Sequence, residues 1–283
     1  MTGTPTEKPI IEVRNLTMAY GFDAPIMRDL NFSIFPKEIF IIMGGSGCGK
    51  SSLLRHLIGL QQPRAGEIFL FGKNLNRCTE NERTALRQRI GVMYQGGALW
   101  SSMTLLENVM LPLEEFSELN TRERREVARY KLALVGLESA ADKYPAEISG
   151  GMAKRASIAR AIALDPEILF FDEPGAGLDP IASKELDDLT LNIRDALGTT
   201  IVIVTHELDS IFAVGDRALF LDSATKTAGA LGDPRELRKT APADIRYFLS
   251  RAGTISNQEP QTSSTKPNPE VFAQQCKNFE HNT

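Results

Sequence analysis

The chain has 283 residues, of which 42% are hydrophobic and 24% charged. This balance is typical of a globular protein with a sizeable core and excludes disordered and fibrous classes. Acidic residues outnumber basic ones by 36 to 32, so no basic field exists to hold a nucleic acid. The three cysteines show no CxxC spacing, which excludes a disulfide framework and a thiolate metal site and fits a reducing compartment.

The start of the chain carries no recognisable targeting signal. Residues 2–9 read TGTPTEKP and combine neither a basic segment nor an apolar one, so we expect no secretory signal. The longest charge-free stretches are too short or too interrupted to cross about 30 Å of hydrocarbon. We therefore expect the protein to stay inside the cell and to reach a membrane only through a partner.

Taken in chain order, the apolar pattern predicts an α/β fold. Residues 10–35 alternate loosely and indicate short antiparallel strands. Residues 39–43 form a continuous apolar run, followed by a glycine-rich turn and then a helix from Lys50, which predicts a strand buried on both faces. Similar runs predict four more strands of a mainly parallel sheet, at residues 90–94, 168–171, 201–205 and 218–221.

Two helical regions interrupt the strands. Residues 120–151 predict a helical stretch with Thr121 as its N-cap and Gly136 as a C-cap glycine, within an inserted helical subdomain at about 97–165. Residues 180–198 predict a second helix with Pro180 near its first position.

The chain divides into one large domain and a polar tail. We expect a single domain over 10–250, followed by a tail at 251–283 rich in Ser, Thr, Asn, Gln and Pro. Within the tail, Phe272, Cys276 and Phe279 have helical spacing, so this stretch is either a docking segment or a frayed end.

Residues 44–51 match the phosphate-binding pattern GxxxxGK[ST] between a predicted strand and a predicted helix. Glycines let backbone N–H groups surround a phosphate, and the helix N-terminus adds positive potential. We expect the lysine to reach the β- and γ-phosphates and the following serine hydroxyl to bind Mg²⁺. The candidate nucleotide-binding residues of this loop are Gly44, Gly45, Ser46, Gly47, Cys48, Gly49, Lys50, Ser51 and Ser52.

A second candidate feature is a buried strand that ends in two acids, Asp172 and Glu173. This is the Walker B arrangement, in which the first carboxylate holds Mg²⁺ through water. Glu173, one residue later, is placed to face an attacking water as a general base.

A third feature is Ser149-Gly150-Gly151 at the start of a helix. A hydroxyl and exposed N–H groups at the positive end of a helix form a second phosphate site. Because the first loop already serves the nucleotide of its own chain, the second indicates a dimer with ATP at the interface.

These motifs, with Gly177-Leu178-Asp179 and the strand-end His206, occur in the order and rough spacing of a known family. The chain resembles the ATP-binding subunit of ABC transporters over about residues 10–250, a P-loop NTPase fold with an antiparallel β subdomain and an inserted helical subdomain. The resemblance implies that Tyr20 stacks on adenine and that Gln95 senses Mg²⁺, water and the permease. It further implies that Asp179 links two subunits and that His206 contacts the γ-phosphate.

A narrower resemblance is to the MlaF-like ATPases of Mce-associated lipid transporters. It rests on the run from Ser149 to Pro166, on residues 172–181, and on residues 94–100, which read Tyr-Gln-Gly-Gly-Ala-Leu-Trp. It implies ATP-driven phospholipid transport with a MlaE-like permease and an Mce-domain protein at the cytoplasmic face of a bacterial inner membrane. Residues 95–103 then form a candidate docking surface for the permease, although the same apolar side chains also suit a core.

Three alternatives to phospholipid transport can be compared on the sequence alone. One is an ATPase subunit of an importer for a polar solute such as an amino acid, because this subunit does not touch the cargo. A soluble ABC ATPase of translation or DNA repair lacks support, since no tandem cassette or sustained heptad pattern is present. A P-loop kinase or GTPase would not need Ser149-Gly150-Gly151.

Overall fold

A computed structural model describes residues 8–19, 21 and 24–250. The predicted adenine contact Tyr20 and the tail with Phe272, Cys276 and Phe279 lie outside the described residues. The strands of the described part are β1 (Ile11–Met18), β2 (Met27–Ile34), β3 (Ile39–Gly44), β4 (Ala65–Leu70), β5 (Lys73–Asn74), β6 (Ile90–Met93), β7 (Ile168–Asp172), β8 (Thr200–Val204), β9 (Arg217–Asp222) and β10 (Thr227–Gly232).

The helices alternate with these strands along most of the chain. They are α1 (Lys50–Leu57), α2 (Glu80–Gln88), α3 (Leu105–Phe116), α4 (Thr121–Leu134), α5 (Gly150–Ala161), α6 (Pro180–Leu197), α7 (Leu208–Val214), α8 (Pro234–Thr240) and α9 (Ala243–Ser250). Within the residues that the structure covers, no helix combines the length and apolar character needed to cross a bilayer.

The larger sheet has the strand order β10-β9-β3-β8-β7-β6, and every pair is parallel except β9 with β10. All residues of β3, β7 and β8 are buried, which explains why the sequences of these strands are almost entirely apolar. The five strands predicted from apolar runs are confirmed. Parallel order also brings the carboxyl ends of β3, β7 and β8 to one edge, where the glycine loop begins and both acids lie.

The smaller sheet is antiparallel, with the order β2-β1-β4-β5. Its first two strands were predicted, whereas β4, which pairs with the other edge of β1, was not. The ring of Phe32 on β2 stacks on Phe40 of β3 with centroids 5.7 Å apart, so the two sheets share one apolar layer.

The helical region between β6 and β7 differs from the predicted one in two ways. The N-cap of α4 is Asn120 and not Thr121, because the Asn120 side chain accepts the N–H groups of Arg122 and Glu123 while Glu123 returns a bond to the Asn120 N–H. The stretch is also not continuous. It ends at Leu134, where Gly136 takes a left-handed conformation as predicted, and resumes at α5 after two short 3₁₀ turns.

Candidate nucleotide-binding site

The glycine loop joins the end of β3 to the start of α1, as predicted. Gly44 has φ 149°, and a Cβ there would lie 2.6 Å from the carbonyl oxygen of Leu221 and 2.8 Å from Cys48 Sγ. Only glycine fits so close an approach of strand and loop. Gly49 also has positive φ and is the N-cap of α1, so the glycine loop leads directly into the N-terminus of a helix, the end that favours anions.

Two side chains of α1 turn toward this loop and toward the neighbouring strand end. Lys50 is buried, and its Nζ donates to the carbonyl oxygens of Gly44 and Gly45 at 3.1 Å each. The Ser51 hydroxyl donates to Asp172 Oδ1 at 3.1 Å. The structure therefore brings the glycine loop and the Walker B acid together across 121 residues of sequence.

Asp172 and Glu173 are both buried at the end of β7. Burial raises the pKa of the Asp172 carboxyl above its ordinary value, and the hydrogen bond from Ser51 opposes that rise. Glu173 has φ 50°, a conformation that costs about 1 kcal/mol or more in a residue with a side chain. Its backbone N–H donates to the carbonyl of Val204, which holds this turn against β8.

The Glu173 carboxylate faces His206, which follows β8. His206 Nδ1 lies 2.9 Å from both Glu173 oxygens, and the His206 side chain is 61% exposed while that of Glu173 is 10% exposed. An acid that is nearly enclosed thus has one partner open to solvent. In such a pair the carboxylate can accept a proton from water while the imidazole orients the carboxylate.

Gln95 lies just after β6. Because β6 is the parallel neighbour of β7, Gln95 lies at the same edge of the sheet as Asp172 and Glu173. Residues 95–104, which lead to α3, form the Gln95 loop. This loop is hydrogen-bonded to α5: Lys154 Nζ donates to the Gln95 carbonyl, and Arg160 donates to the carbonyls of Gly97 at 3.0 Å and Ala98 at 2.7 Å. The Lys154 ammonium also lies 3.5 Å from the Glu173 carbonyl oxygen.

These elements surround a cleft of about 770 Å³, large enough for a nucleotide. Most of the predicted residues line it, and the full set is Gly44, Gly45, Ser46, Gly47, Gly49, Lys50, Ser51, Ser52, Gln95, Glu173, His206, Leu208 and Phe248. Cys48 is not among them, because its side chain is 2% exposed and points into the core. Burial also raises the pKa of its thiol.

A second cleft of about 220 Å³ lies at the start of α5. Ser149 is the N-cap of this helix and accepts the Met152 N–H at 3.2 Å. Asp179 is the N-cap of α6, accepts the N–H groups of Ile181 and Ala182, and lines the same cleft as Ser149. The two clefts share no lining residue, so the described residues form two separate clefts, one at the glycine loop and one at the start of α5.

Sequence reasoning missed several residues of these clefts. Phe248 of α9 lines the larger one and packs edge-on against Phe220 at 5.2 Å, and Arg155 lines the smaller one. Phe248 carried no signal, because it reaches the cleft only through the packing of the last described helix. Lys154 and Arg155 stand in the motif-bearing helix, but their spacing alone does not say which loop each one meets.

Comparison with known proteins agrees with this geometry. The family model described as "ABC transporter" matches residues 27–176, which is more than half of the chain. The chain is 37% identical over 240 residues to the intermembrane phospholipid transport system ATP-binding protein MlaF of Haemophilus influenzae, covering 85% of this chain and 90% of that one. It is 38% identical over 258 residues to the probable ribonucleotide transport ATP-binding protein mkl of Mycobacterium tuberculosis, covering 90% and 71%.

Solved structures give the same result. The dimeric post-hydrolysis structure of the ATP-binding cassette MJ0796, bound to ADP and Pi, superposes with a TM-score of 0.72 at 30% identity over 79% of this chain and 98% of that one. The cbiO1 protein of Clostridium perfringens, part of the ABC transporter complex cbiONQ, superposes with a TM-score of 0.74 at 26% identity over 86% and 99%. The chain belongs to the ABC transporter family, as an ATPase subunit that couples ATP hydrolysis to transport.

Proposed function

We propose that this ATPase powers the movement of phospholipids between bacterial membranes through a separate permease. The observation that carries the proposal is the likeness to MlaF proteins, 37% identical in Haemophilus influenzae and 35% in Escherichia coli over 85% of the chain. In this proposal the chain sits at the cytoplasmic face of the inner membrane. It works with a MlaE-like permease and an Mce-domain protein, and it meets the membrane only through the permease.

The larger cleft binds Mg·ATP in this proposal. Lys50 and the N–H groups of the glycine loop bind the β- and γ-phosphates of ATP, and Tyr20 stacks on adenine. Ser51, Asp172 and Gln95 hold Mg²⁺, which supplies charge neutralisation of the phosphates when it is bound. These three side chains offer hydroxyl, carboxylate and amide oxygens, which suit a hard cation, and Ser51 and Asp172 already lie within 3.1 Å of each other.

Three side chains of the larger cleft carry out hydrolysis. Glu173 accepts the proton of the attacking water, because it is the enclosed carboxylate at the strand end beside the glycine loop. His206 orients the Glu173 carboxylate through its Nδ1 and reaches the γ-phosphate with the exposed side of its ring. Gln95 positions the same water from the opposite edge of the cleft.

The active unit in this proposal is a dimer. A nucleotide held in the larger cleft of one copy receives Ser149, Gly150 and Gly151 from the smaller cleft of the other, with Asp179 beside them. Two separate clefts in one chain support this arrangement, as does the MJ0796 cassette, whose structure is described as dimeric.

The permease docks beside the Gln95 loop. A groove of about 350 Å³ there is lined by Arg87, Pro112, Phe116 and Arg160, and the Phe116 side chain is among the exposed large hydrophobics at 46%. Trp100 lies in the same loop and is 60% exposed. The buried Asn108 side chain holds the Trp100 backbone: its Oδ1 accepts the Trp100 N–H at 2.7 Å, and its amide nitrogen donates to the Trp100 carbonyl at 3.1 Å. An exposed indole on a rigid backbone is a suitable anchor for a partner helix.

A second candidate cargo is a polar solute. The relatives named probable ribonucleotide transport proteins are as similar to the chain as the MlaF proteins, at 38% identity. They favour the importer alternative that the sequence also left open.

Affinity purification of the tagged chain from membranes in mild detergent tests the proposal. Wild type is expected to retain a permease, an Mce-domain protein and bound phospholipid, while a Trp100→Asp, Phe116→Asp variant with unchanged melting temperature loses all three. A permease of a solute importer, together with ATPase activity stimulated by ribonucleotides and not by phospholipids, would overturn it.

A further inference from the structure

The buried ammonium group of Lys154 has no role in the mechanism above. Lys154 lies on α5, five residues after Ser149, and is 9% exposed. Lysine is rarely buried, because removing its charge from water is costly unless hydrogen bonds and opposite charges compensate for the lost hydration.

The contacts of Lys154 belong to the catalytic cleft of its own chain. Its Nζ donates to the carbonyl oxygen of Gln95 and lies 3.5 Å from the carbonyl oxygen of Glu173. Three carboxylates attract it as well, those of Glu207, Glu173 and Asp172. One cation therefore joins the two loops that carry the proposed water-positioning and base residues.

The same face of α5 holds the Gln95 loop at two further points. Gly97 packs so closely on Ser157 that a Cβ would lie 2.6 Å from the Ser157 hydroxyl oxygen, and Arg160 binds the carbonyls of Gly97 and Ala98. Lys154 differs from these contacts because it also reaches the segment of Glu173.

We propose that Lys154 is a positioning residue that holds the Gln95 loop and the Glu173 segment in register with the helix that begins at Ser149. In the dimer, that helix end meets the nucleotide of the other copy. Lys154 thus links engagement of the partner's nucleotide to the geometry of hydrolysis in its own chain. This inference rests on the proposed function for the roles of Gln95, Glu173 and Ser149.

Steady-state ATPase kinetics of the full chain with two substitutions test the proposal. Lys154→Met keeps an unbranched side chain of similar size but removes the donors and the charge, and Lys154→Arg keeps both. Lys143→Met, at an exposed lysine before α5, is the matched control. We expect Lys154→Met to lower kcat at least tenfold with KM for ATP within twofold and an undiminished melting temperature, since the glycine loop is untouched. Lys154→Arg is expected to recover kcat to within threefold of wild type.

Three results would overturn the proposal. One is a kcat of Lys154→Met within twofold of wild type, and another is an arginine variant as slow as the methionine variant. The third is a loss of kcat that comes with a lower melting temperature and a raised KM, as expected for a merely structural residue. Failure of the proposed function is read separately. Normal hydrolysis by Glu173→Gln removes the base assignment, and a solute-importer permease removes the lipid assignment, whatever Lys154→Met does.

Discussion

His206 Nδ1 lies 2.9 Å from each carboxylate oxygen of Glu173, although 33 residues separate the two in sequence. The contact exists because β7 and β8 are parallel neighbours and their carboxyl ends meet at one edge of the sheet. It places a solvent-facing imidazole against an enclosed carboxylate, in the same cleft as the glycine loop for which we propose phosphate binding.

The first prediction concerns the imidazole. His206→Ala is expected to lower kcat by about 10²-fold, because Glu173 loses the group that orients it. The fold should keep its stability within about 0.5 kcal/mol, since the His206 side chain is 61% exposed. Phosphate release and thermal melting measure the two effects. A kcat within twofold of wild type would remove His206 from the mechanism.

The second prediction concerns the lysine of the glycine loop. Lys50→Ala is expected to weaken ATP binding by at least tenfold, because charge-assisted hydrogen bonds to phosphate contribute about 1.5–3 kcal/mol. Isothermal titration calorimetry measures the change, and Lys143→Ala at an exposed site is the control. Equal affinities for wild type and Lys50→Ala would contradict the assignment of the loop.

The third prediction concerns stability and pH. Burial raises the pKa of Asp187 from 3.8 to about 6, with Glu207 adding to the rise and a hydrogen bond from Ser210 opposing it. The folded chain therefore binds more protons than the unfolded chain between these values. The stabilisation that this proton gives is complete below about pH 4 and is lost as the pH rises through about 6.

Asp187→Asn removes the cost of the buried charge. At pH 8 we expect the variant to be more stable than wild type by about 1 kcal/mol, a value reduced for solvent screening, or about 2–4 °C in melting temperature. The gain should vanish by pH 4. Melting curves at both pH values, with Asp244→Asn at an exposed site as control, decide the matter. A gain that does not change with pH would show that charge is not its cause.

The fourth prediction concerns packing between β6 and α5. A Cβ on Gly91 would lie 2.1 Å from the carbonyl oxygen of Ala161, a backbone atom that cannot turn aside. Gly91→Ala is expected to destabilise the fold by about 2–3 kcal/mol. Gly96→Ala is the control, because a Cβ there would meet no atom within 4 Å. Equal melting temperatures of the two variants would contradict this packing.

Much of the fold could be predicted from the sequence because its main strands are buried on both faces. Strands β3, β7 and β8 are short and mostly apolar, and a glycine ends β3 and an acid ends β7. Strand β4 escaped prediction because only part of it is buried. The N-cap of α4 was misplaced by one residue because Asn and Thr are adjacent and only the reciprocal Glu123 contact selects Asn120.

The candidate nucleotide-binding site also contains a part that could be predicted from the sequence and a part that could not. Residues 44–52 are contiguous, so their loop could be predicted directly from the sequence. Contacts between distant segments could not be predicted in this way, because nothing local to Lys154 indicates that its ammonium meets Gln95 and Glu173. The wall that Phe248 adds to the cleft depends likewise on the packing of α9.

The most direct test of the account is the behaviour of Glu173→Gln with Mg²⁺ and ATP. If Glu173 is the base and ATP lies between two copies, the variant binds ATP as tightly as wild type, loses at least 10²-fold in kcat, and elutes with the mass of a dimer holding two nucleotides. Isothermal titration calorimetry measures the affinity, phosphate release measures kcat, and light scattering with nucleotide analysis of the eluted peak measures the mass and the nucleotide content. A variant that hydrolyses ATP at the wild-type rate and stays monomeric would contradict the account.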